Sequence, residues 1–264
     1  MIVSSPTTKG IVPGGAPGTE AANAATAEWS SHGITDMGKA RKINEDAFLQ
    51  RADIGLWAVA DGMGGHSAGD VASKMVVRSL AKLEREGEVN DYIEIIERQL
   101  FETNVRLRQR AAETNRRMIG STVTVLALHR PYGIFMWAGD SRLYRLRDEK
   151  LYQLTTDHSQ VADYVSEGLI TPDQALTHPM RNRITRAVGA SEQLCLDIEM
   201  TALQTGDRYL LCSDGLTGYV TDAEIRKVLL DGSDARETCE QLIGTAIAHD
   251  TGDNVTAVIV DLHQ

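Results

Sequence analysis

Three short apolar runs, residues 56–60, 134–138 and 209–212, are each followed within two positions by an aspartate: Asp61, Asp140 and Asp214. Apolar runs this short, bounded by Gly, Ser and Asp, read as strands rather than helices. Each carboxylate therefore stands where a strand leaves its sheet. Further strand-like runs lie at 47–49, 122–128, 143–146, 151–154, 194–200 and 254–261, with Asp148-Glu149-Lys150 as a hairpin turn between the third and fourth of these. Apolar positions at helical spacing, Ala72, Met75, Val76, Leu80 and Leu83, then Tyr92, Ile95, Ile96 and Leu100, predict helices over 67–85 and 90–115. Two more are expected near 221–231 and 234–249, with a mainly helical insert over 159–187. Strands that come in blocks favour a largely antiparallel pair of sheets covered by helices over a regular alternation of parallel strands and helices.

The balance of 27 Lys+Arg against 37 Asp+Glu gives a net charge of −10, which argues against nucleic acid as a partner because a phosphate backbone needs a basic face. With 42% hydrophobic and 24% charged residues the chain is globular rather than disordered, and no apolar run approaches the ~18 residues that span a bilayer. Residues 1–28 hold three of the six prolines and lack an apolar face, so they read as a mobile tail before a single domain over 29–264. Lys9 is followed by Gly and Pro rather than by an apolar stretch, so no secretory signal is expected and the protein is read as cytoplasmic. Three cysteines without a C-x-x-C pair fit a reducing compartment and read as buried, inert thiols. The histidines never fall at zinc-site spacing, so any metal is expected on oxygen ligands.

Beyond the three strand ends, Asn44-Glu45-Asp46 and Gly252-Asp253-Asn254 carry further carboxylates. A single Asp at a strand end is ordinarily a turn residue. Several that converge would repel one another and raise their pKa values unless a cation compensates, and Mg²⁺ or Mn²⁺ is the natural occupant of an all-oxygen site. Glycine after Asp61 and Asp214 lets the backbone come close to such an ion. Two ions side by side make a device for phosphoester hydrolysis, and Arg41, three residues before Asn44, is a candidate bidentate clamp for the phosphate.

In order and spacing, Arg41-Lys42-Ile43-Asn44-Glu45-Asp46, Asp61-Gly62-Met63-Gly64-Gly65, Gly120-Ser121-Thr122, Ala138-Gly139-Asp140-Ser141-Arg142, Ser213-Asp214-Gly215-Leu216 and Asp253-Asn254-Val255-Thr256 are similar to the motifs of the metal-dependent PPM (type 2C) protein phosphatases, above all the compact bacterial ones. The resemblance covers about 34–261. It implies a four-layer α-β-β-α sandwich, an α+β arrangement of two antiparallel sheets flanked by helices, with metals in a cleft at one end. It further implies that phosphoserine and phosphothreonine in protein substrates are hydrolysed by direct attack of a metal-bridging water, in opposition to a bacterial Ser/Thr protein kinase. By position, the resemblance makes Asp61 the carboxylate bridging two Mn²⁺ or Mg²⁺ ions, Gly62 a carbonyl ligand, and Asp214 and Asp253 ligands of the first ion. Asp46 with Glu45 belongs to the second ion's surroundings, and Asn254 stands beside the ligands. Asp140 with Asp214 matches the place of a third, weaker ion, and Arg41 matches the phosphate clamp. One departure is Met63, where many eukaryotic members carry a His proposed as the acid for the leaving alkoxide; a thioether donates no proton. His66 lies close in sequence as another candidate acid. The insert over about 158–189 resembles the flap beside the bacterial active site, where it influences substrate choice.

Two other readings were open. Gly65-His66-Ser67-Ala68-Gly69 satisfies the nucleophile-elbow pattern of α/β-hydrolase esterases, although only about 38 ordered residues precede Ser67; Gly139-Asp140-Ser141 resembles a serine-protease signature but is followed by Arg142 rather than Gly. The other reading is a non-catalytic PPM-like regulator that binds phosphoproteins, which would be expected to lack some metal carboxylates, whereas Asp46, Asp61, Asp214 and Asp253 are all present. The expected protein is a monomer without membrane or nucleic-acid partners.

Overall fold

The computed structural model describes residues 28–64, 68–85 and 87–263. Residues 1–27, with His66 and Ser67, lie outside the described residues, so the expectations of a mobile tail, of His66 as an acid and of Ser67 as a nucleophile fall there. Two sheets are present, and every strand pair in them is antiparallel. One orders β1 (Trp29–Asp36), β11 (Val255–Leu262), β10 (Arg208–Cys212), β7 (Arg142–Arg147) and β8 (Lys150–Gln153). The other orders β2 (Asp46–Arg51), β3 (Leu56–Met63), β5 (Val123–His129), β6 (Tyr132–Ala138) and β9 (Asp197–Ala202), with the short β4 (Gly120–Ser121) continuing against the end of β3.

Strand parity builds the layers. On β3, Trp57 and Val59 join Leu126, Phe135 and Trp137 against Tyr209, Leu211, Val258 and Val260 of the facing sheet, so these residues form the core between sheets. The alternate residues Leu56, Ala58 and Ala60 turn outward onto α1 (Ala68–Leu80) and α2 (Val89–Glu113). On the other side, Leu210, Cys212, Ala257 and Ile259 meet α5 (Asp214–Thr217), α6 (Asp222–Asp231) and α7 (Ala235–Ala248). The result is the expected four-layer sandwich. Central strands covered on both faces explain why their sequences are continuous apolar runs.

Several expectations change in detail. Strand β1 had no apolar signature because Trp29–Asp36 is an edge strand, only half-buried, held by its register with β11. Helix α1 stops at Leu80 rather than 85: Arg51 Nη1 donates to the carbonyls of Ala81 and Leu83 and closes the C-terminal turn. The insert is mostly turns and carries only α3 (Gln160–Ser166) and α4 (Pro172–Leu176), while β9 begins at Asp197 rather than 194. Cys212 and Cys239 are buried, and burial pushes both thiols up to about 12, but Cys195, in the loop before β9, is exposed. No helix among the described residues is long and apolar enough to cross a membrane.

Candidate metal centre

The carboxylates gather at one end of the sandwich because strands from both sheets stop there. Asp46 opens β2 and Asp61 lies near the end of β3, and the two are direct partners across the ladder. Directly opposed residues of an antiparallel pair share a face, which places one carboxylate beside the other. Asp46 is buried, and its Oδ2 accepts hydrogen bonds from Ser213 Oγ and Thr256 Oγ1, both at 2.7 Å. Thr256 lies on β11 of the facing sheet and Ser213 directly follows β10, so Asp46 ties the two sheets together. Ser213 directly precedes Asp214, the first residue of α5, and Asp253 lies just before β11.

The loop carrying Arg41 and Glu45 is fastened by Asn254. This buried amide accepts from the Glu45 N–H at 2.8 Å and donates to the Met37 and Ile43 carbonyls at 2.9 and 3.1 Å. Arg41 Nη2 donates to Asp253 Oδ2 at 2.8 Å, and its side chain remains about half exposed. Glu45 is half-buried, and its carbonyl accepts from the Gly62 N–H at 3.0 Å. A side chain at position 62 is impossible, since its Cβ would lie 1.9 Å from the Gly69 carbonyl oxygen. The start of α1 thus packs directly on the backbone beside Asp61.

A third strand end joins through hydroxyls. Thr122 Oγ1 accepts from the Asp61 N–H at 2.9 Å and lies 2.8 Å from Ser141 Oγ, while the Thr122 N–H donates to the Asp61 carbonyl. Thr122 therefore connects the turn bearing Asp61 to the turn bearing Asp140. Ser141 is buried in that contact, which gives the serine-protease reading no nucleophile.

Electrostatically the cluster is strained. Burial and then repulsion from Asp46, Asp214, Asp140 and Asp253 hold the Asp61 carboxyl well above the usual range. Asp46, Asp140 and Asp214 are raised as well, each first by burial and then by neighbouring carboxylates. Among the described residues no three His, Cys, Asp or Glu side chains already stand in a metal-holding arrangement. The aspartates form an open cluster in which Asp46 Oδ1, Asp140 Oδ1 and Asp214 Oδ1 are buried without a hydrogen-bond partner. Buried, unpartnered carboxylate oxygens that repel one another are the donor set a hard divalent cation satisfies, so the residues fit Mg²⁺ or Mn²⁺.

Each metal-ligand and clamp candidate singled out from the sequence lies in or beside this cluster, while His66 and Ser67 fall outside the described residues. Asp46, Asp61, Asp140, Asp214 and Asp253 act on one another electrostatically, Arg41 pairs with Asp253, and Met63 follows Gly62 at the end of β3. The sequence assigned no role to Ser213, Thr256 or Thr122, and pointed to Ser141 only within the serine-protease signature, although all four sit inside the quoted motifs. Their adjacency to the aspartates was the available signal.

The sequence profile of the family described as Protein phosphatase 2C matches residues 38–245. Protein phosphatase PhpP of Streptococcus pneumoniae is 33% identical over 237 residues, covering 88% of this chain and 96% of PhpP. Among solved structures, PppA, a key regulatory component of T6SS in Pseudomonas aeruginosa, superposes with a TM-score of 0.83 at 38% identity, covering 89% of this chain and 97% of PppA. The catalytic domain of the serine/threonine protein phosphatase PstP, in complex with two manganese ions, superposes with a TM-score of 0.81 at 34% identity, covering 89% and 99% of the two chains.

Proposed function

Since the chain belongs to the protein phosphatase 2C family, we propose that its own aspartate cluster is the metal centre of a phosphoprotein hydrolase and that Arg41 receives the substrate phosphate. The protein is a metal-dependent protein serine/threonine phosphatase that requires a divalent metal ion. In our reading Asp61 would be shared by two ions together with the Gly62 carbonyl, Asp214 and Asp253 would hold the first ion, and Asp46 with Glu45 would lie around the second. Asp140 and Asp214 would hold a third, weaker ion. Mn²⁺ and Mg²⁺ both suit oxygen ligands. The observation that carries this reading is the set of buried, unpartnered oxygens on Asp46, Asp140 and Asp214 at the meeting of both sheets.

When bound, the ions supply Lewis acidity and a water acidic enough to attack phosphorus at neutral pH. The chain's own residues position the substrate. Arg41 uses one guanidinium nitrogen on Asp253, which leaves the others for phosphate oxygens. Asn254 fixes the loop from which Arg41 projects. Met63 supplies no proton to the departing alkoxide, so that proton comes from another source. The substrates are phosphoserine and phosphothreonine proteins, and the activity opposes a Ser/Thr protein kinase. We assign the phosphatase domain to 29–264, with the insert over about 158–189 influencing substrate choice and 1–28 as a tail, and we read the protein as a cytoplasmic monomer.

Hydrolysis of p-nitrophenyl phosphate with Mn²⁺, then with excess EDTA, followed by release of phosphate from phosphothreonine peptides, tests the reading. Turnover that needs Mn²⁺ and disappears with EDTA is expected. No turnover in either condition sinks it.

A further inference from the structure

His158 opens the insert and sits buried beside the turn that carries Asp140. Gly139 occupies the left-handed region with φ 123°, and a Cβ there would lie 2.6 Å from Thr122, so only glycine fits. Both backbone groups of Gly139 are taken by His158. The Gly139 N–H donates to His158 Nδ1 at 3.2 Å, and the His158 N–H donates to the Gly139 carbonyl at 2.9 Å. An amide N–H can only donate, so Nδ1 must carry a lone pair. The ring proton then resides on Nε2, which faces Asp197 Oδ2 at 3.1 Å.

The remaining contacts lock this ring to both limbs of the insert. It stacks on Trp137, with centroids 5.8 Å apart and planes 8° from parallel. Asp197 pairs with Trp137 across β6 and β9, and its Oδ1 accepts from Arg186 Nη1 at 2.5 Å. Arg186 lies on the returning limb, where the Thr185 N–H also donates to the His158 carbonyl at 2.8 Å. The outgoing limb starts at His158, the returning limb ends at Arg186, and both converge on Asp197.

We propose that His158 is a positioning residue, a neutral Nε2-protonated imidazole that fixes the Gly139–Asp140 turn to the root of the insert through Asp197 and Arg186. The consequence for metal binding rests on the assignment of Asp140 as a ligand; the tautomer and the clamp do not. A displaced insert strains the His158 ring and with it the turn that aims Asp140, so the insert and the weakest metal site are mechanically linked. Orienting groups behind a ligand commonly change metal affinity without touching the metal.

The test begins with the unaltered protein. Long-range proton–nitrogen correlation spectra of ¹⁵N-histidine-labelled protein at neutral pH should show His158 with a protonated Nε2 and a pyridine-type Nδ1. A ring protonated at Nδ1, alone or together with Nε2, overturns the proposal. His158→Phe keeps the stacking on Trp137 and removes both ring hydrogen bonds, whereas His158→Asn retains an acceptor for the Gly139 amide. Hydrogen exchange at the Gly139 amide should be at least about tenfold faster in His158→Phe, and the weakest Mn²⁺ site should weaken about tenfold by calorimetry, with His158→Asn in between. Wild-type exchange at Gly139 in His158→Phe overturns the clamp. If Mn²⁺ binding is unaffected by Asp140→Asn while the tautomer and exchange results hold, the Asp140 assignment fails and the clamp stands.

Discussion

At the residue scale, the centre consists of like charges brought together by burial, and single side chains decide what it can do. Replacing Asp214 by Asn removes the charge of a proposed ligand while keeping its shape, and turnover with Mn²⁺ should fall at least about a hundredfold in steady-state kinetics. In the proposed clamp role Arg41 meets the substrate rather than the ions, so Arg41→Ala should raise KM for p-nitrophenyl phosphate more than it lowers kcat; equal KM values would remove Arg41 from the clamp role. His158 supplies a pH signature outside the aspartate cluster. Burial lowers its pKa, opposed by its bond to Asp197 and assisted by Arg186, with Asp157 also facing it. The folded protein therefore binds fewer protons at this site than the unfolded chain. The associated stability is complete above the ordinary histidine pKa of about 6.5 and is lost as pH falls through the lower folded value. Urea unfolding between about pH 5 and 7 should show this loss in the wild type and a flatter profile in His158→Phe.

At the scale of elements, loops joining the two sheets hold the site, and polar side chains take over where the ladders end. Asn254 leads into β11 and fastens the segment before β2 with three hydrogen bonds. Removing it leaves an N–H and two carbonyls without their partner. Asn254→Ala should cost about 2 kcal/mol in urea unfolding and should also raise KM, because the released loop carries Arg41. A stability loss without any kinetic change would separate the loop from substrate binding. The same logic recurs away from the site. Arg208 bonds Asp261 through two nitrogens and reaches the Leu229 and Gly232 carbonyls at the end of α6. Arg147 does the same for Asp207 and the Ala202 carbonyl. These arginines pin helix and strand ends that propensity alone leaves frayed.

For the whole molecule, the two sheets are joined by an apolar core between them and, at one end, by Asp46 reaching across to Ser213 and Thr256. Ions bound there hold only the folded arrangement and must stabilise it by mass action. Mn²⁺ at a hundred times its dissociation constant adds ~2.7 kcal/mol, which for a domain of this size raises Tm by roughly 5 to 10 °C. Differential scanning calorimetry with Mn²⁺ and with EDTA measures this directly, and identical transitions would remove the cluster as a metal centre. The net charge of −10 does not oppose an anionic substrate, because cations in the cleft reverse its local sign.

The sequence by itself determined the layers and the chemistry. Continuous apolar runs specify strands buried on both faces, helical periodicity specifies α1 and α2, and an aspartate after each of three strands specifies an oxygen-rich end. These signals were legible because each resides within a few consecutive residues. Only the tertiary structure decided β1, whose polar Trp29–Asp36 becomes a strand by pairing with β11. It alone decided the partners of Asp46, 167 and 210 residues away. It alone also set the clamp in which His158 meets Gly139, Asp197 and Arg186. Local sequence fixes propensity and parity, whereas a hydrogen bond between distant residues exists only after two sheets have packed and excluded the water that would otherwise satisfy those groups.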